Sequence, residues 1–313
     1  MDKKINLLIT GGAGFIGSNL VEHFLNDERV GLVRVLDNLS NGYIENIQQF
    51  FGHPRFEFIE GDIRDYEPCH KACKGIDKIS HQAALGSVPR SIEDPMQSTE
   101  VNILGTVNLM YAAVQQKVER MILAFSSSTY GDHPDLPKVE GRIGKPLSPY
   151  AVTKASIEQF AEVFGNTYGL NWIGLRYFNV FGPKQNPNNP YAAVIPIFIE
   201  KFKKNDKIQV FGDGETSRDF THITNVIHAN EITLFSKQVT RGVFNVACAQ
   251  KVSLNDVIHR LENIFNRTIE VEYLEERKGD VKHSLASIKK LQDIYGYKVQ
   301  KSLDQGLTEL VNE

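Results

Sequence analysis

The stretch Thr10-Gly11-Gly12-Ala13-Gly14-Phe15-Ile16-Gly17 joins two segments with different hydrophobic patterns. An apolar run at residues 5–9 precedes it, and residues 18–26 have the spacing of an amphipathic helix. Glycines at these positions permit a tight turn, let backbone N–H groups approach a pyrophosphate, and let a helix pack closely on a strand. The spacing is G-x-x-G-x-x-G rather than the usual G-x-G-x-x-G, so taken alone it fits a structural turn equally well.

A second apolar run, at residues 32–36, ends at Asp37, twenty residues after Gly17. A carboxylate at this distance accepts hydrogen bonds from ribose hydroxyls and repels a 2′-phosphate, which favours NAD over NADP. Asp37 by itself also fits a turn before Asn38. Together with the glycines it predicts an NAD site.

Strand and helix patterns then alternate along the chain. Strands are predicted at residues 55–59, 77–80, 120–125, 172–176 and 243–247, and helices at 96–116 and 149–165. This alternation predicts an α/β fold, a doubly wound parallel (Rossmann) sheet that binds ligands beyond the carboxyl ends of its strands. Asp62 and Ile63 follow one strand and are placed to border an adenine, and Ala83, Ala84 and Ser87 follow the next.

Prolines 183, 187 and 190 interrupt the alternation, which predicts that the chain leaves the sheet there. We therefore expect an NAD-binding domain at residues 1–178, with a return segment at about 222–248. A smaller C-terminal, substrate-binding lobe is expected at residues 179–221 and 249–313.

Tyr150 and Lys154 stand four residues apart in a segment that begins Ser148-Pro149, a good helix start. Four residues apart, they share one helix face, where a cation would lower the pKa of a phenol. A surface tyrosine above a solvated lysine is the alternative. Hydroxyls at Ser126, Ser127 and Ser128 end a predicted strand, where they would either cap backbone groups or hold a substrate hydroxyl.

Composition excludes several classes of function. The formal net charge of -3 gives no electrostatic support for nucleic-acid binding. The three cysteines and the absence of an apolar segment behind Met1 fit a cytoplasmic protein. No apolar run reaches the ~20 residues of a membrane helix, and Cys69, His70 and Cys73 lack the second ligand pair of a zinc site, so no metal is expected.

With these residues in place, the chain is identified as a member of the extended short-chain dehydrogenases/reductases and resembles the UDP-sugar 4-epimerases over nearly its whole length. It is most similar to the branch that prefers N-acetylated sugars. The similar segments are HQAALGSVPRSI (81–92), SSSTYGDHP (126–134), YAAVIP (191–196) and GDGETSRDF (212–220).

The resemblance implies roles for individual residues. Tyr150 would be the catalytic base and Lys154 its partner, also holding the nicotinamide ribose. The catalytic hydroxyl falls on Ser126 when counted back from Tyr130, and on Ser128 when counted forward; the Tyr130-Gly131 pair is the firmer anchor and favours Ser126. The implied NAD site comprises Gly11, Gly14, Phe15, Ile16, Gly17, Asp37, Asn38, Asp62, Ile63, Ala83, Ala84, Asn102, Lys154 and Tyr177. The implied substrate site comprises Ser87, Ser126, Ser127, Ser128, Tyr150, Asn179, Ala193, Val194, Val210, Phe211, Arg218, Arg277, Asp280 and Ser284.

By the same resemblance, Ser284 falls where epimerases confined to UDP-glucose and UDP-galactose carry a bulky tyrosine that closes the sugar pocket, so its small side chain implies room for a 2-acetamido group. Ser127 and Ser128 occupy the places where related dehydratases carry an acid. The expected reaction is therefore the reversible, NAD-dependent 4-epimerisation of UDP-GlcNAc and UDP-GalNAc through a 4-keto intermediate, with NAD tightly bound and recycled; a roomy pocket would also admit UDP-glucose and UDP-galactose. UDP-glucuronate, plain UDP-glucose and a non-catalytic nucleotide-binding regulator are the alternatives. The resemblance also implies a homodimer formed through the helices near 96–116 and 150–165, without nucleic-acid or membrane partners.

Overall fold

The computed structural model describes residues 3–186, 193–275 and 282–312. Its strands are β1 Ile5–Thr10, β2 Val30–Asp37, β3 Phe56–Glu60, β4 Lys78–His81, β5 Arg120–Ser126, β6 Trp172–Tyr177, β7 Val180–Phe181, β8 Ile208–Phe211, β9 Ser217–Arg218, β10 Thr221–His222, β11 Gly242–Val246, β12 Val252–Ser253 and β13 Val271–Leu274. Its α-helices are α1 Phe15–Leu25, α2 Tyr66–Cys73, α3 Val88–Glu93, α4 Pro95–Thr99, α5 Gly105–Gln115, α6 Pro149–Tyr168, α7 Val194–Lys204, α8 Ile223–Phe235, α9 Leu254–Phe265, α10 Lys289–Tyr295 and α11 Leu303–Asn312.

The main sheet has seven strands in the order β11-β6-β5-β4-β1-β2-β3. Every pairing in it is parallel. The chain runs outward from β1 through β2 to β3, and then returns to β4 and runs outward on the other side. The strand order thus reverses between β1 and β4, and parallel sheets bind ligands at such a switch point. The predicted Rossmann fold is confirmed.

Alternating residues of β1 face opposite layers of helices. Leu7 and Ile9 lie in a core cluster with α1 and α8, whereas Leu8 lies in a second cluster with α2, α5 and α6. Buried apolar side chains on both faces are expected of a parallel sheet that is covered on both sides.

The helix predicted at residues 96–116 is present, with a change of winding in its middle. Helices α4 and α5 are joined by a π-helical turn at Glu100–Leu104. Asn102 lies in this turn and is 1% exposed. Hydrophobic periodicity does not reveal such an extra residue per turn.

A third core cluster lies apart from the sheet and forms the centre of a smaller lobe. Its buried members come from residues 181–220 and 252–307, including Phe198 on α7 and Leu261 on α9. In contrast, Leu291 on α10 and Tyr297 pack in the first cluster beside the sheet. The C-terminal part of the chain is therefore shared between the two halves, where we expected residues 249–313 to belong to the lobe alone.

Within the described ranges, no helix combines the length and the apolar character needed to cross a membrane.

Candidate active site

A cleft of about 550 Å³ opens where the central strands of the sheet end. It is lined by Gly11 beyond β1, Asp37 at the end of β2, Ser126 at the end of β5 and Tyr177 at the end of β6. The predicted residues that line it are Gly11, Gly14, Phe15, Ile16, Gly17, Asp37, Asn38, Asp62, Ile63, Ala83, Ala84, Ser87, Ser126, Ser127, Tyr150, Lys154, Tyr177, Asn179 and Ala193.

The glycine turn at the start of α1 has no room for side chains at two positions. Gly11 has a φ of +68°, and a Cβ there would lie 2.7 Å from the backbone of Ala83. A Cβ on Gly17 would lie 2.1 Å from the carbonyl oxygen of Gly11. Backbone this close together leaves peptide groups, rather than side chains, to meet a ligand.

Asp37 fastens this turn to the end of β2. Its carboxylate accepts hydrogen bonds from the backbone N–H groups of Ala13 and Leu39, each at 2.9 Å. Burial raises the pKa of Asp37, although these backbone N–H groups act against that rise. A carboxylate has about four lone-pair sites, so two bonds leave Asp37 able to accept from a ribose.

Asp62 lies close to Asn38, whose amide donates to it at 2.7 Å. The guanidinium of Arg64 holds the pKa of Asp62 at about 2. The polar groups predicted for the ribose and adenine are thus brought together from β2 and the segment after β3, and they fit a dinucleotide.

Helix α6 presents Tyr150 and Lys154 to the cleft. The Ser148 hydroxyl caps the helix by accepting from the N–H of Ala151 at 3.1 Å, and the N–H of Tyr150 donates to Ser91 Oγ at 3.0 Å. Lys154 Nζ donates to the carbonyl of Ala124 on β5 at 2.8 Å and lies 5.9 Å from the centre of the Tyr150 ring.

The pKa values of this pair differ from the sequence-based expectation. Burial raises the pKa of Tyr150, and a hydrogen bond with the Ser126 hydroxyl opposes that rise. Burial also lowers the pKa of Lys154 to about 8. Both charged forms lose hydration in the cleft wall, and this loss outweighs the stabilising effect that we expected from the lysine.

Ser126 and Ser128 occupy different environments. Ser126 lines the cleft, hydrogen-bonds Tyr150, and accepts from the N–H of Ser128 at 3.1 Å. Ser128 Oγ is buried and has no hydrogen-bond partner among the residues described. Of the two candidates, Ser126 is the one that contacts the tyrosine.

A chain of buried hydrogen bonds begins at Thr10, just before the glycine turn. Thr10 Oγ1 lies 2.6 Å from His81 Nδ1, and His81 Nε2 lies 2.9 Å from Thr106 Oγ1. Thr106 donates its proton to the carbonyl of Asn102 at 2.6 Å, so it accepts from His81, whose proton is therefore on Nε2. Burial, reinforced by the charge of Lys154, lowers the pKa of His81 to about 3, and the imidazole is neutral.

The chain continues from Asn102 to the backbone of Tyr150. Asn102 accepts from the N–H of Leu85 at 2.8 Å and donates to Thr153 Oγ1 at 3.1 Å. Thr153 in turn donates to the carbonyl of Tyr150 at 2.8 Å. Asn102 therefore supports the cleft from behind its wall. Its prediction as an NAD contact requires it to line the cleft, and it does not.

Other predicted residues also lie off the cleft wall, in the smaller lobe. Val210 is 1% exposed and belongs to the third core cluster, and Val194 packs against the same cluster. Phe211 is 37% exposed, and Arg218 donates to the carbonyls of Ser217 and Lys282. Ser284 is buried in a segment that pairs with Ser217. Arg277 and Asp280 lie outside the described residues.

Two segments that the sequence analysis did not select complete the wall of the cleft. Residues 40–43 and Asn46 form one, and residues 184–186 form the other. Asn46 donates to the carbonyl of Ala13 at 2.8 Å, and Asn186 donates to Tyr43 at 2.8 Å. The Asn41-Gly42 pair is a recognisable turn signal, but nothing in it indicates that the turn folds onto the glycines.

One group of possible metal ligands occurs among the described residues: His23, Asp27 and Glu231. Arg29 donates to both carboxylates, so they already have a cationic partner. The group lies apart from the residues of the cleft.

Comparison with known proteins agrees with this geometry. Residues 7–247 match the NAD dependent epimerase/dehydratase family. A putative UDP-glucose 4-epimerase of Methanocaldococcus jannaschii is 33% identical over 308 residues, which are 98% of this chain and 97% of the relative.

Two solved structures are similar over almost the whole chain. The UDP-N-acetylglucosamine 4-epimerase of Methanobrevibacter ruminantium, in complex with UDP-N-acetylmuramic acid, superposes with a TM-score of 0.93 at 38% identity, covering 99% of this chain and 98% of that one. The UDP-glucose 4-epimerase of Thermus thermophilus, in complex with NAD, gives 0.88 at 34% identity, with 98% of each chain covered. The chain belongs to the NAD dependent epimerase/dehydratase family, as an NAD-dependent enzyme of the extended short-chain dehydrogenase/reductase type.

Proposed function

We propose that this UDP-sugar 4-epimerase interconverts UDP-N-acetylglucosamine and UDP-N-acetylgalactosamine. The observation that carries the proposal is the meeting of Ser126, Tyr150 and Lys154 in the same cleft as the glycine turn and Asp37. A hydroxyl, a phenol and an ammonium beside a dinucleotide site are suited to hold and deprotonate a secondary alcohol.

Gly11, Gly17, Asp37, Asn38 and Lys154 are the residues that would hold the cofactor. A bound NAD would supply the hydride acceptor and donor for C4 of the sugar, so that the cofactor would be recycled without net oxidation.

Tyr150 removes the proton from the sugar 4-hydroxyl and later returns it to the oxygen of the turned 4-keto sugar. Ser126 donates a hydrogen bond to the phenolate and so favours the deprotonated state of the tyrosine. Lys154 remains protonated below its pKa of about 8 and supplies positive charge beside the phenolate. These assignments explain why a partly buried tyrosine stands next to both groups.

One residue of the chain and one comparison favour the acetylated substrate. Ser284 is small, and the resemblance to the UDP-sugar 4-epimerases places this position beside the sugar, where a serine would leave space for a 2-acetamido group. Of the two solved structures described above, the UDP-N-acetylglucosamine 4-epimerase has the higher identity, 38% against 34%. Serines, not acids, stand at 127 and 128 beside Ser126, which disfavours elimination of water from the 4-keto sugar.

Proton NMR tests this proposal directly. Purified protein is incubated with UDP-GlcNAc and, separately, with UDP-glucose and UDP-glucuronate, without added NAD. We expect UDP-GalNAc to appear without added NAD, because the cofactor is retained through purification. It should form faster than UDP-galactose, because Ser284 leaves room for the acetamido group. Turnover of UDP-glucuronate alone would replace the proposed substrate. Silence with all three sugars after NAD is supplied would favour a non-catalytic nucleotide-binding regulator.

We also propose that two copies of the chain pair through α5 and α6. These helices and the π-helical turn expose apolar side chains that a monomer would leave in water: Leu104, Tyr111, Val152, Phe160 and Val163. Val152, Phe160 and Val163 follow helical spacing and lie on one face of α6.

Light scattering after size-exclusion chromatography checks this pairing. The wild type should have the mass of a dimer, and Phe160→Glu should shift it to a monomer, because a charge would be buried in the interface. Phe51→Glu is a matched control, since Phe51 is also exposed but lies before β3 at the far edge of the sheet. A dimer that withstands Phe160→Glu but is lost with Phe51→Glu would move the interface to that edge.

A further inference from the structure

We propose that Asp219 is a positioning residue for the sugar end of the substrate, which fixes Asn179 and the Ser284 segment relative to each other. The inference rests on the proposed function, because the contact of Ser284 with the sugar belongs to that proposal. Asp219 lies between β9 and β10 and is 0% exposed. A carboxylate buried this completely needs strong partners.

The side chain of Asp219 joins the main sheet to the Ser284 segment. One carboxylate oxygen accepts from the N–H of Cys248, just after β11, at 2.9 Å. The other accepts from the N–H of Ala286, two residues after Ser284, at 3.1 Å. A single charged group therefore bridges the end of the sheet and the segment that carries the proposed specificity residue.

The main chain of Asp219 holds the other side of the substrate site. Its carbonyl oxygen accepts from the side-chain amide of Asn179 at 3.2 Å, and the N–H of Thr221 donates to the carbonyl of Asn179 at 3.2 Å. Asn179 lines the cleft and has a φ of +35°. Non-glycine residues rarely adopt this conformation, so it depends on such contacts.

Besides this tie, backbone pairing holds the Ser284 segment on its two flanks. The backbone N–H of Ser284 donates to the carbonyl of Ser217 at 3.0 Å, and the backbone N–H of Ser287 donates to the carbonyl of Lys138 at 2.9 Å. Two side chains add to it: His283 hydrogen-bonds Ser217 at 2.9 Å, and Asn245 donates to the carbonyl of Ser287 at 3.0 Å. Backbone pairing fixes the register of the segment. We infer that the bond to Asp219 sets the depth at which it lies against the sheet, and hence the room beside Ser284.

The charge of Asp219 is balanced by backbone N–H groups. Burial raises its pKa to about 6, while the N–H groups of Cys248, Ala286, Gln250 and Ala249 oppose that rise. Asparagine has the same shape as aspartate but offers one oxygen, and its NH₂ would face a backbone N–H. Asp219→Asn therefore removes one tie without creating a cavity.

Steady-state kinetics of Asp219→Asn with UDP-GlcNAc and UDP-glucose test the proposal. We expect KM for UDP-GlcNAc to rise roughly tenfold, the scale of a lost hydrogen bond to a charged group. KM for UDP-glucose should rise less, because the smaller sugar depends less on the wall at Ser284. Turnover number and co-purified NAD should stay close to wild type, since neither Tyr150 nor the glycine turn is altered.

Asp256→Asn is the matched control. Asp256 is also a carboxylate of the lobe that accepts from backbone, at 2.9 Å from the N–H of Ser253 in the capping box of α9. Asp256→Asn should lower the melting temperature and leave the KM values for UDP-GlcNAc and UDP-glucose unchanged. Unchanged KM and substrate ratio in Asp219→Asn, or an equal rise of KM in both variants, would overturn the proposal. A wild type inactive on UDP-GlcNAc would instead refute the proposed function.

The wild type supplies a second readout if Asp219→Asn does not fold. When Asp219 is protonated, one of its two carboxylate oxygens no longer accepts a backbone hydrogen bond. KM for UDP-GlcNAc should therefore rise severalfold as pH falls from about 7 to about 5, while NAD stays bound. Of the groups near Asp219, Cys248 has its pKa raised to about 12 by burial, and burial raises that of Tyr297 well above its ordinary value. Neither changes charge in this interval, and a KM independent of pH would contradict the proposal.

Three more charged or titratable groups lie near Asp219: Arg218 and His222 are close along the chain, and His283 contacts Ser217, two residues before Asp219. Arg218 keeps its charge throughout this interval, and burial lowers the pKa of His222 to about 4. His283 hydrogen-bonds Ser217 at 2.9 Å, and its pKa is lowered mainly by burial. His283→Gln is therefore measured in parallel: the rise of KM should persist in it, and its disappearance there would assign the effect to His283 instead of Asp219.

Discussion

The cofactor side of the cleft and the substrate lobe differ in how far along the chain their contacting residues lie. Gly11 and Gly17 close a single turn, and Asp37 reaches Ala13 across 24 positions. In the lobe, Asp219 accepts from Ala286 across 67 positions. A site built within one strand-turn-helix unit can be predicted from a local pattern. A site assembled from distant segments depends on which of them meet.

Tyr150 lines the cleft as the proposed base, and its loss should have the largest effect. Tyr150→Phe removes the phenolic proton carrier and should lower turnover roughly 10³-fold. Tyr168→Phe, at the exposed end of the same helix, is the control and should be close to wild type. NMR turnover and a thermal melt check both variants. Near-normal turnover in purified Tyr150→Phe would refute its role as the base.

The cofactor side should fail as a unit when its turn is overfilled. Gly17→Ala places a Cβ 2.1 Å from the carbonyl oxygen of Gly11, so we expect loss of co-purified NAD and a lower melting temperature. Gly141→Ala meets no atom within 4 Å and should change neither property. Absorbance of the cofactor released from purified protein gives the NAD content. Full NAD content in Gly17→Ala would mean that the turn does not hold the cofactor.

The lobe should respond to a change of size at one position. Ser284→Tyr should raise KM for UDP-GlcNAc roughly tenfold, the effect of one lost contact or clash, while KM for UDP-glucose changes little. Ser284→Ala keeps the space and should preserve the preference for the acetylated sugar. Steady-state kinetics with both sugars make the comparison. Equal effects of Ser284→Tyr on the two sugars would place Ser284 away from the acetamido group.

Alkaline pH should have the smallest effect, and a reversible one. Lys154 loses its proton above its pKa of about 8 and no longer stabilises the phenolate, so kcat/KM should fall from pH 8 to 9.5. An unfolded chain keeps the lysine protonated to higher pH than the folded protein does. Unfolding would therefore require proton uptake, and this group's contribution to stability rises with pH in that interval. We thus expect activity to recover fully when pH 7.5 is restored; kcat/KM that climbs through pH 9.5 would contradict this role for Lys154.

Sequence reasoning was most successful where the chain contacts itself locally. The glycine turn, Asp37 and the α6 residues Tyr150 and Lys154 all line the cleft, as expected from motifs that each lie within one or two elements. It was least successful with Asn102, which supports the wall from a π-helical turn, and with Val210, which packs into the core of the lobe. Whether a side chain points into a cleft or into a core depends on the element packed against it.

The sequence by itself determined the parallel α/β fold, the NAD-dependent family and the chemical groups of the active site, because strand-turn-helix units are recorded in periodicity and glycine spacing. The tertiary structure decided which groups meet and how they are charged. It brings Ser126, rather than Ser128, to Tyr150, and burial raises the pKa of that tyrosine although a lysine stands near it. It also joins Asp219 to Ala286. These outcomes depend on desolvation and on contacts between distant segments, and neither is encoded in a local pattern of residues.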